Sequence, residues 1–428
     1  MKRKLISLLL AALLLLSLAA GCGGKVPAQP EASSAPPERR DPPSGESVPA
    51  EALSSKTWEE GTPADLAGAL DLALGLLRRD PAENALLSPA SILCALGMAA
   101  NGAAGETLAG LEAALGFRIE ELNAALGSWL AALDREDGPL HLADGIWISD
   151  DPELTVDPAF LSQCREKYGA SAEQLPFDGE ALERINGFVR ENTHGMIDGI
   201  LEELHRDDML CLVSALAFEA DWAKTYEEDQ VRPGLFTAAD GREQEAVFLH
   251  STEGSYLEDE NCRGFLKYYE GRRYAFAAIL PREGLSLEDY LDGLSGEQLR
   301  SLLENAGGEQ VVTATPKFTA EDKLELKDAL SALGAADAFD PDRADLSALG
   351  RCRNGDNLYI GKVLHRTFLK LDEKGTQAGA ATAAVIARAT SVQAEPTRRV
   401  VLDRPFLYLV LDCESGMPLF IGTVNSLE

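Results

Sequence analysis

Two apolar runs near the C-terminus, Phe406–Leu411 and Leu419–Val424, constrain the fold of this chain most. A strand half-exposed to water alternates polar and apolar side chains, whereas these runs are continuously apolar but for Thr423, so they predict strands buried on both faces of a covered sheet. The chain has 428 residues, 45% of them hydrophobic, enough for a large core in one big domain or two ordinary ones. Ala64 to Arg79 reads as a helix with Leu66, Leu70, Leu72, Leu74 and Leu77 on a broad apolar face, ended by Asp80-Pro81. Ser88 is placed to cap a second helix with Pro89 in its first turn. Residues 106–134 and 179–204 also read as helical. Further strands are expected at Cys211–Phe218, Tyr274–Leu280, Gln310–Phe318, Thr367–Leu371 and Val400–Leu402. Helices in the first half and strands in the second predict an α+β domain.

Between the last strands lies an unusual segment. From Thr376 to Ala387 there is no ionisable side chain and no proline. If extended, one face would carry Thr376, Ala378, Ala380, Thr382, Ala384 and Ile386, and the other Gln377, Gly379, Ala381, Ala383, Val385 and Ala387. Such a segment can enter a sheet without burying a charge or deleting a ladder hydrogen bond. Alanine favours helix over strand, so local propensity does not force it there. Taken alone, it reads as an alanine-rich surface helix or a low-complexity linker.

The first residues read as an address. Met1-Lys2-Arg3-Lys4 is a basic start, Leu5 to Leu18 an apolar core of signal-peptide length, and Ala19-Ala20-Gly21-Cys22 resembles a bacterial lipobox with Ala19 where leucine is usual. The expected division is a lipoprotein signal at 1–21, a lipid-modified Cys22 with a Pro/Ser/Glu-rich tether at 22–63, and a folded domain at 64–428. That places the domain outside the cell on a membrane anchor; an ordinary cleaved signal would release it instead. The formal net charge of -31 argues against nucleic acid as a partner, because phosphate is bound mainly by lysine and arginine. The cysteines beyond Cys22 are far apart and form neither a disulfide framework nor a zinc pattern, so buried free thiols and no metal or cofactor are expected.

Enzyme signatures are missing from the sequence. No G-x-S-x-G elbow, S-x-x-K, H-E-x-x-H, Walker A loop or strand-linked G-x-G-x-x-G is present, and the five histidines are scattered. The chain reads as a non-enzyme.

The blocks Asn84-Ala85-Leu86-Leu87-Ser88-Pro89-Ala90-Ser91-Ile92, Ile185-Asn186-Gly187-Phe188-Val189, Thr193-His194-Gly195-Met196-Ile197, Val213-Ser214-Ala215 with Phe218 and Trp222, Pro316-Lys317-Phe318, and Arg404-Pro405-Phe406-Leu407 follow one another along the chain. In kind and order this series resembles the serpin family of serine protease inhibitors. The segment Glu373, Lys374, Gly375, Thr376, Gln377, Ala378, Gly379, Ala380, Ala381, Thr382 is similar to the proximal hinge of a serpin's reactive-centre loop, here about 373–399. The resemblance implies helices packed around three mostly antiparallel or mixed sheets with an exposed loop. It implies a monomer that traps a serine protease as a covalent acyl-enzyme while the loop inserts into the main sheet.

The resemblance also implies sites. The family's spacing places the scissile bond at Ala389-Thr390, which suits an elastase-like or subtilisin-like protease; a one-residue shift places it after Arg388, for a trypsin-like one. Ser88, Ser91 and His365 match the shutter where strands part, with Ser214 in place of the family's asparagine, and Trp222 matches the point where the loop first enters. A non-inhibitory serpin would typically carry charged or bulky residues in the hinge, and this hinge has none. A solute-capturing lipoprotein would share the leader but has no place for these blocks.

Overall fold

The computed structural model describes residues 67–133, 138–205, 208–376 and 398–427. The two apolar runs form β18 (Phe406–Asp412) and β19 (Pro418–Val424), an antiparallel pair with every residue buried. They sit inside a six-stranded sheet ordered β1 (Ala85–Leu87), β19, β18, β11 (Tyr274–Pro281), β10 (Cys262–Tyr268) and β9 (Ser255–Glu258). A second sheet runs β4 (Ser171–Leu175), β2 (Leu140–Ser149), β5 (Leu210–Phe218), β15 (Lys362–Leu371), β16 (Gly375–Thr376) and β6 (Ala220–Asp221), and β13 (Phe318–Glu325) also pairs with β15. The third holds β17 (Arg398–Val401), β12 (Val311–Pro316), β8 (Glu243–Glu253) and β7 (Val231–Thr237), and β14 (Gly350–Cys352) pairs with β3 (Leu154–Val156).

Helices α1 (Ala67–Leu77) and α2 (Pro89–Gly102) begin the described chain. Ser88 caps α2 as its sequence predicts: its hydroxyl accepts the Ser91 amide. α2 packs against β19 and also against β2 and β5, so all of it but Asn101 is buried. Its alanines and glycines allow that double contact.

Several boundaries differ from the sequence reading. Residues 106–134 form two helices, α3 (Gly105–Leu115) and α4 (Ile119–Ala131), because Gly116 takes a left-handed conformation between them. After α5 (Pro158–Tyr168), helix α6 (Gly179–Asn192) stops well short of residue 204. Its stop is the left-handed pair His194 (φ 51) and Gly195 (φ 78), with the Thr193 hydroxyl turned back to the Val189 carbonyl. The expected strand Gln310–Phe318 is two strands, β12 and β13, that break at Lys317 and enter different sheets. The first half also holds β2, a fully paired strand that the sequence reading left out. The α+β class itself stands.

The core divides at the second sheet. One small cluster lies between that sheet and α6 with its following segment, where Ile185, Val189, Ile197 and Ile200 meet Val213, Ala215, Ala217 and Leu364. All the other elements share a larger cluster.

Candidate functional site

In the middle of the second sheet, β5 and β15 are parallel neighbours, paired from Cys211–Lys362 to Ala217–Phe368. Above that stretch the sheet changes partners. β16 sits between β15 and β6, with Leu371 opposite Thr376 and Gly375 opposite Asp221. Two residues of the hinge, Gly375 and Thr376, are therefore already strand, at the mouth of the β5–β15 seam. A tight turn brings them there: the Asp372 carboxylate accepts the Lys374 amide at 2.9 Å, and the Asp372 amide donates to the Gly375 carbonyl at 3.0 Å.

The two residues fit that place for different reasons. A Cβ on Gly375 would lie 2.0 Å from the Ala220 carbonyl oxygen, so the position requires the absence of a side chain. Its φ is not in the left-handed region, so close approach and not backbone freedom is the reason for glycine here. Thr376 is fully buried, and its hydroxyl meets the Tyr269 hydroxyl at 2.6 Å. Thr376 is thus inside the sheet in the resting chain.

Trp222 and Glu373 hold the turn from either side. The Trp222 ring N–H donates to the Asp372 carbonyl at 3.0 Å, and its amide donates to the Lys374 carbonyl at 2.7 Å. The Trp222 ring stacks on Tyr269 at 4.3 Å between centroids. Behind it, Lys267 is buried against Glu253 at 2.9 Å, with its ammonium 4.3 Å from the Tyr226 ring centroid. Burial pulls the Lys267 pKa down and Glu253 opposes the shift. Glu373 pairs with Lys317 at 2.5 Å, and the hydrogen bond from that ammonium holds its carboxyl below the usual range.

Lower in the seam lie Ser88, Ser91, Ser214 and His365, all four of them buried. The Ser88 amide donates to His365 Nε2 at 3.0 Å, and His365 Nδ1 meets the Ser214 hydroxyl at 3.4 Å. Ser214 in turn hydrogen-bonds to the Ser91 hydroxyl. Burial pushes the His365 pKa down to about 3, so the ring is neutral. The structure brings Ser88, Ser91, Ser214 and His365 into one hydrogen-bonded cluster. It adds Asp144, a buried carboxylate on β2 whose Oδ1 accepts from Ser91 Oγ at 3.1 Å. The signal for it was one acidic residue in the apolar run Gly145–Ile148 and its upstream neighbours. Tyr269 was likewise not singled out, and Lys317 was seen only as part of the block Pro316-Lys317-Phe318. Gln377, Ala378, Gly379, Ala380, Ala381, Thr382, Arg388, Ala389, Thr390 and Cys22 lie outside the described residues.

Comparison with known proteins agrees with this geometry. Residues 66–427 match the family model described as serpin (serine protease inhibitor). The bovine (Bos taurus) plasma serine protease inhibitor is 31% identical over 371 residues, covering 83% of this chain and 88% of that one. The human (Homo sapiens) leukocyte elastase inhibitor is 28% identical over 383 residues, covering 86% of this chain and all of that one. The crystal structure of the thermophilic serpin tengpin in its native state superposes with a TM-score of 0.79 at 38% identity, over 87% of this chain and 96% of that one. A paired hinge at the mouth of a seam, a polar cluster across it and a family match over nearly the whole described chain lead to one conclusion: this protein belongs to the serpin family.

Proposed function

We propose that this chain inhibits a serine protease as a suicide substrate. The protease serine attacks the carbonyl of Ala389, releases the amine of Thr390 and is left as an ester on Ala389. The freed limb then inserts between β5 and β15, carrying the protease with it. One observation carries this reading: β16 is already paired in line with the path the rest of the limb would take.

The register supports it further. Antiparallel pairing moves one residue back along β15 for each residue forward along the loop. Continued from Leu371–Thr376, it sets Thr382 opposite His365 and Val385 opposite Lys362. The face with Thr376 then meets the face of Leu369, Thr367, His365 and Val363, all buried. Ala378, Ala380, Thr382 and Ala384 bring no charge and little bulk into that layer.

Names of relatives support the target class: one is an elastase inhibitor and another a plasma serine protease inhibitor. Small Ala389 suits an elastase-like or subtilisin-like pocket. The test is to mix the chain from residue 64 onward with elastase and, separately, with trypsin, then seek a covalent complex on a denaturing gel and locate the cut by mass spectrometry. A complex with elastase cut after Ala389 is expected. A complex with trypsin cut after Arg388 would keep the mechanism and move the site. Cleavage by both without a complex would overturn inhibition.

A further inference from the structure

Asp144, Ser214 and His365 lie on one rung of the sheet: Asp144 is opposite Ser214 across β2–β5, and Ser214 is opposite His365 across β5–β15. Hydroxyls can donate or accept, so the direction of such a chain is set by its ends. At one end the Ser88 amide can only donate, and it donates to His365 Nε2, which leaves the ring proton on Nδ1. Nδ1–H then donates to Ser214, Ser214 to Ser91, and Ser91 to the Asp144 carboxylate. At the other end Asp144 Oδ1 accepts from the Ser91 hydroxyl. Both ends enforce the same direction, and the bond in the middle, Ser214 with His365, crosses the seam that must part.

We propose that Asp144 is a positioning residue for loop insertion: as terminal acceptor it holds the Ser91–Ser214 hydroxyls in the orientation that keeps the Ser214–His365 bond across the closed β5–β15 seam. This rests on the insertion reading above. It also accounts for a serine at 214, where an asparagine is the family's residue. A serine hydroxyl has no direction of its own, and Asp144 supplies it. An asparagine at 144 could instead turn its amide N–H toward Ser91 and reverse the chain, which would then demand a proton on His365 Nε2 against the Ser88 amide.

The test needs no protease, so a failure to form protease complexes and a failure of this proposal are separate results. The full chain and Asp144→Asn, which keeps the side-chain shape, are labelled with 15N-histidine, with His365→Gln to assign the signal. The native chain is expected to show His365 as the Nδ1–H tautomer alone, and Asp144→Asn to show both tautomers. Amide exchange is followed in parallel. Asp144→Asn should speed exchange across Val363–Thr367 by roughly tenfold, with β18 and β19 unchanged. Asp144→Ala should have the same seam effect alone but not in a Ser91→Ala background, because the carboxylate reaches the seam through that hydroxyl. An Nε2–H native tautomer, an unchanged tautomer in Asp144→Asn, equal acceleration in β18 and β19, or an equal Asp144→Ala effect in both backgrounds overturns the proposal.

Discussion

Gly375 and Thr376 show how much a single residue decides at the mouth of the seam. The Ala220 carbonyl leaves no room for a Cβ at 375, and Thr376 gives up water for a hydrogen bond to Tyr269. Gly375→Ala should therefore push β16 away from β6, at a cost of about 1–3 kcal/mol for an overpacked site. The stacked Trp222 next to it reports the change: its fluorescence should alter in the folded protein, alongside a lower unfolding midpoint. Unchanged fluorescence and midpoint would mean that β16 is not seated as described. The Glu373–Lys317 pair is a weaker constraint, because both side chains keep about a third of their surface in water.

Among the elements, α6 and the segment after it have most bearing on the proposed insertion, because they pack on the sheet that holds the seam. The run 179–204 has helical composition, yet the helix ends at Asn192 and the remainder is held by side chains. Asn186 accepts the Ile200 and Leu201 amides at 2.7 and 2.9 Å and donates to the Leu201 carbonyl at 2.9 Å. From β15, Arg366 donates to the Gly199 carbonyl. An incoming strand would have to pass beneath this strap. Asn186→Ala removes three hydrogen bonds at about 1 kcal/mol net each, so exchange at Ile197–Leu201 should accelerate while the helix before it stays protected. Equal loss along α6 would show that Asn186 serves the helix and not the strap. The block Ile185–Val189 was visible as a family feature, but its purpose was not. That purpose is a contact with backbone fourteen and fifteen residues further on, and helical periodicity carries no information about it.

At the scale of the whole molecule, two buried histidines set how the fold responds to acid. His365 is held neutral down to about 3 by burial. His141 on β2 is held down to about 4, first by burial and then by His194, whose ring lies 4.0 Å away at the end of α6. The histidines that looked scattered in sequence thus include one pair in ring contact that joins the turn after α6 to the sheet. Above pH 6.5 these groups are neutral in both states and contribute no slope. As pH falls below 6.5 the unfolded chain takes up protons that the folded chain refuses, so stability drops until the folded pKa values of about 4 and 3 are reached. The slope is at most about 1.4 kcal/mol per pH unit for each proton. His141→Phe should flatten the fall in unfolding midpoint between pH 6.5 and 4. An undiminished fall would assign acid sensitivity to other groups.

Sequence alone determined the α+β class, the doubly buried C-terminal strands, the cap of α2 and the family, because periodicity, capping chemistry and ordered blocks are local properties. It also marked Ser88, Ser91, Ser214, His365 and Trp222 by resemblance. Only the tertiary structure decided why Gly375 is glycine, that Thr376 is already within the sheet, and that Asp144 completes the polar chain across the seam. Those answers depend on register between strands distant in sequence, where one residue's place is set by the backbone opposite it, and no local pattern in the chain encodes that pairing.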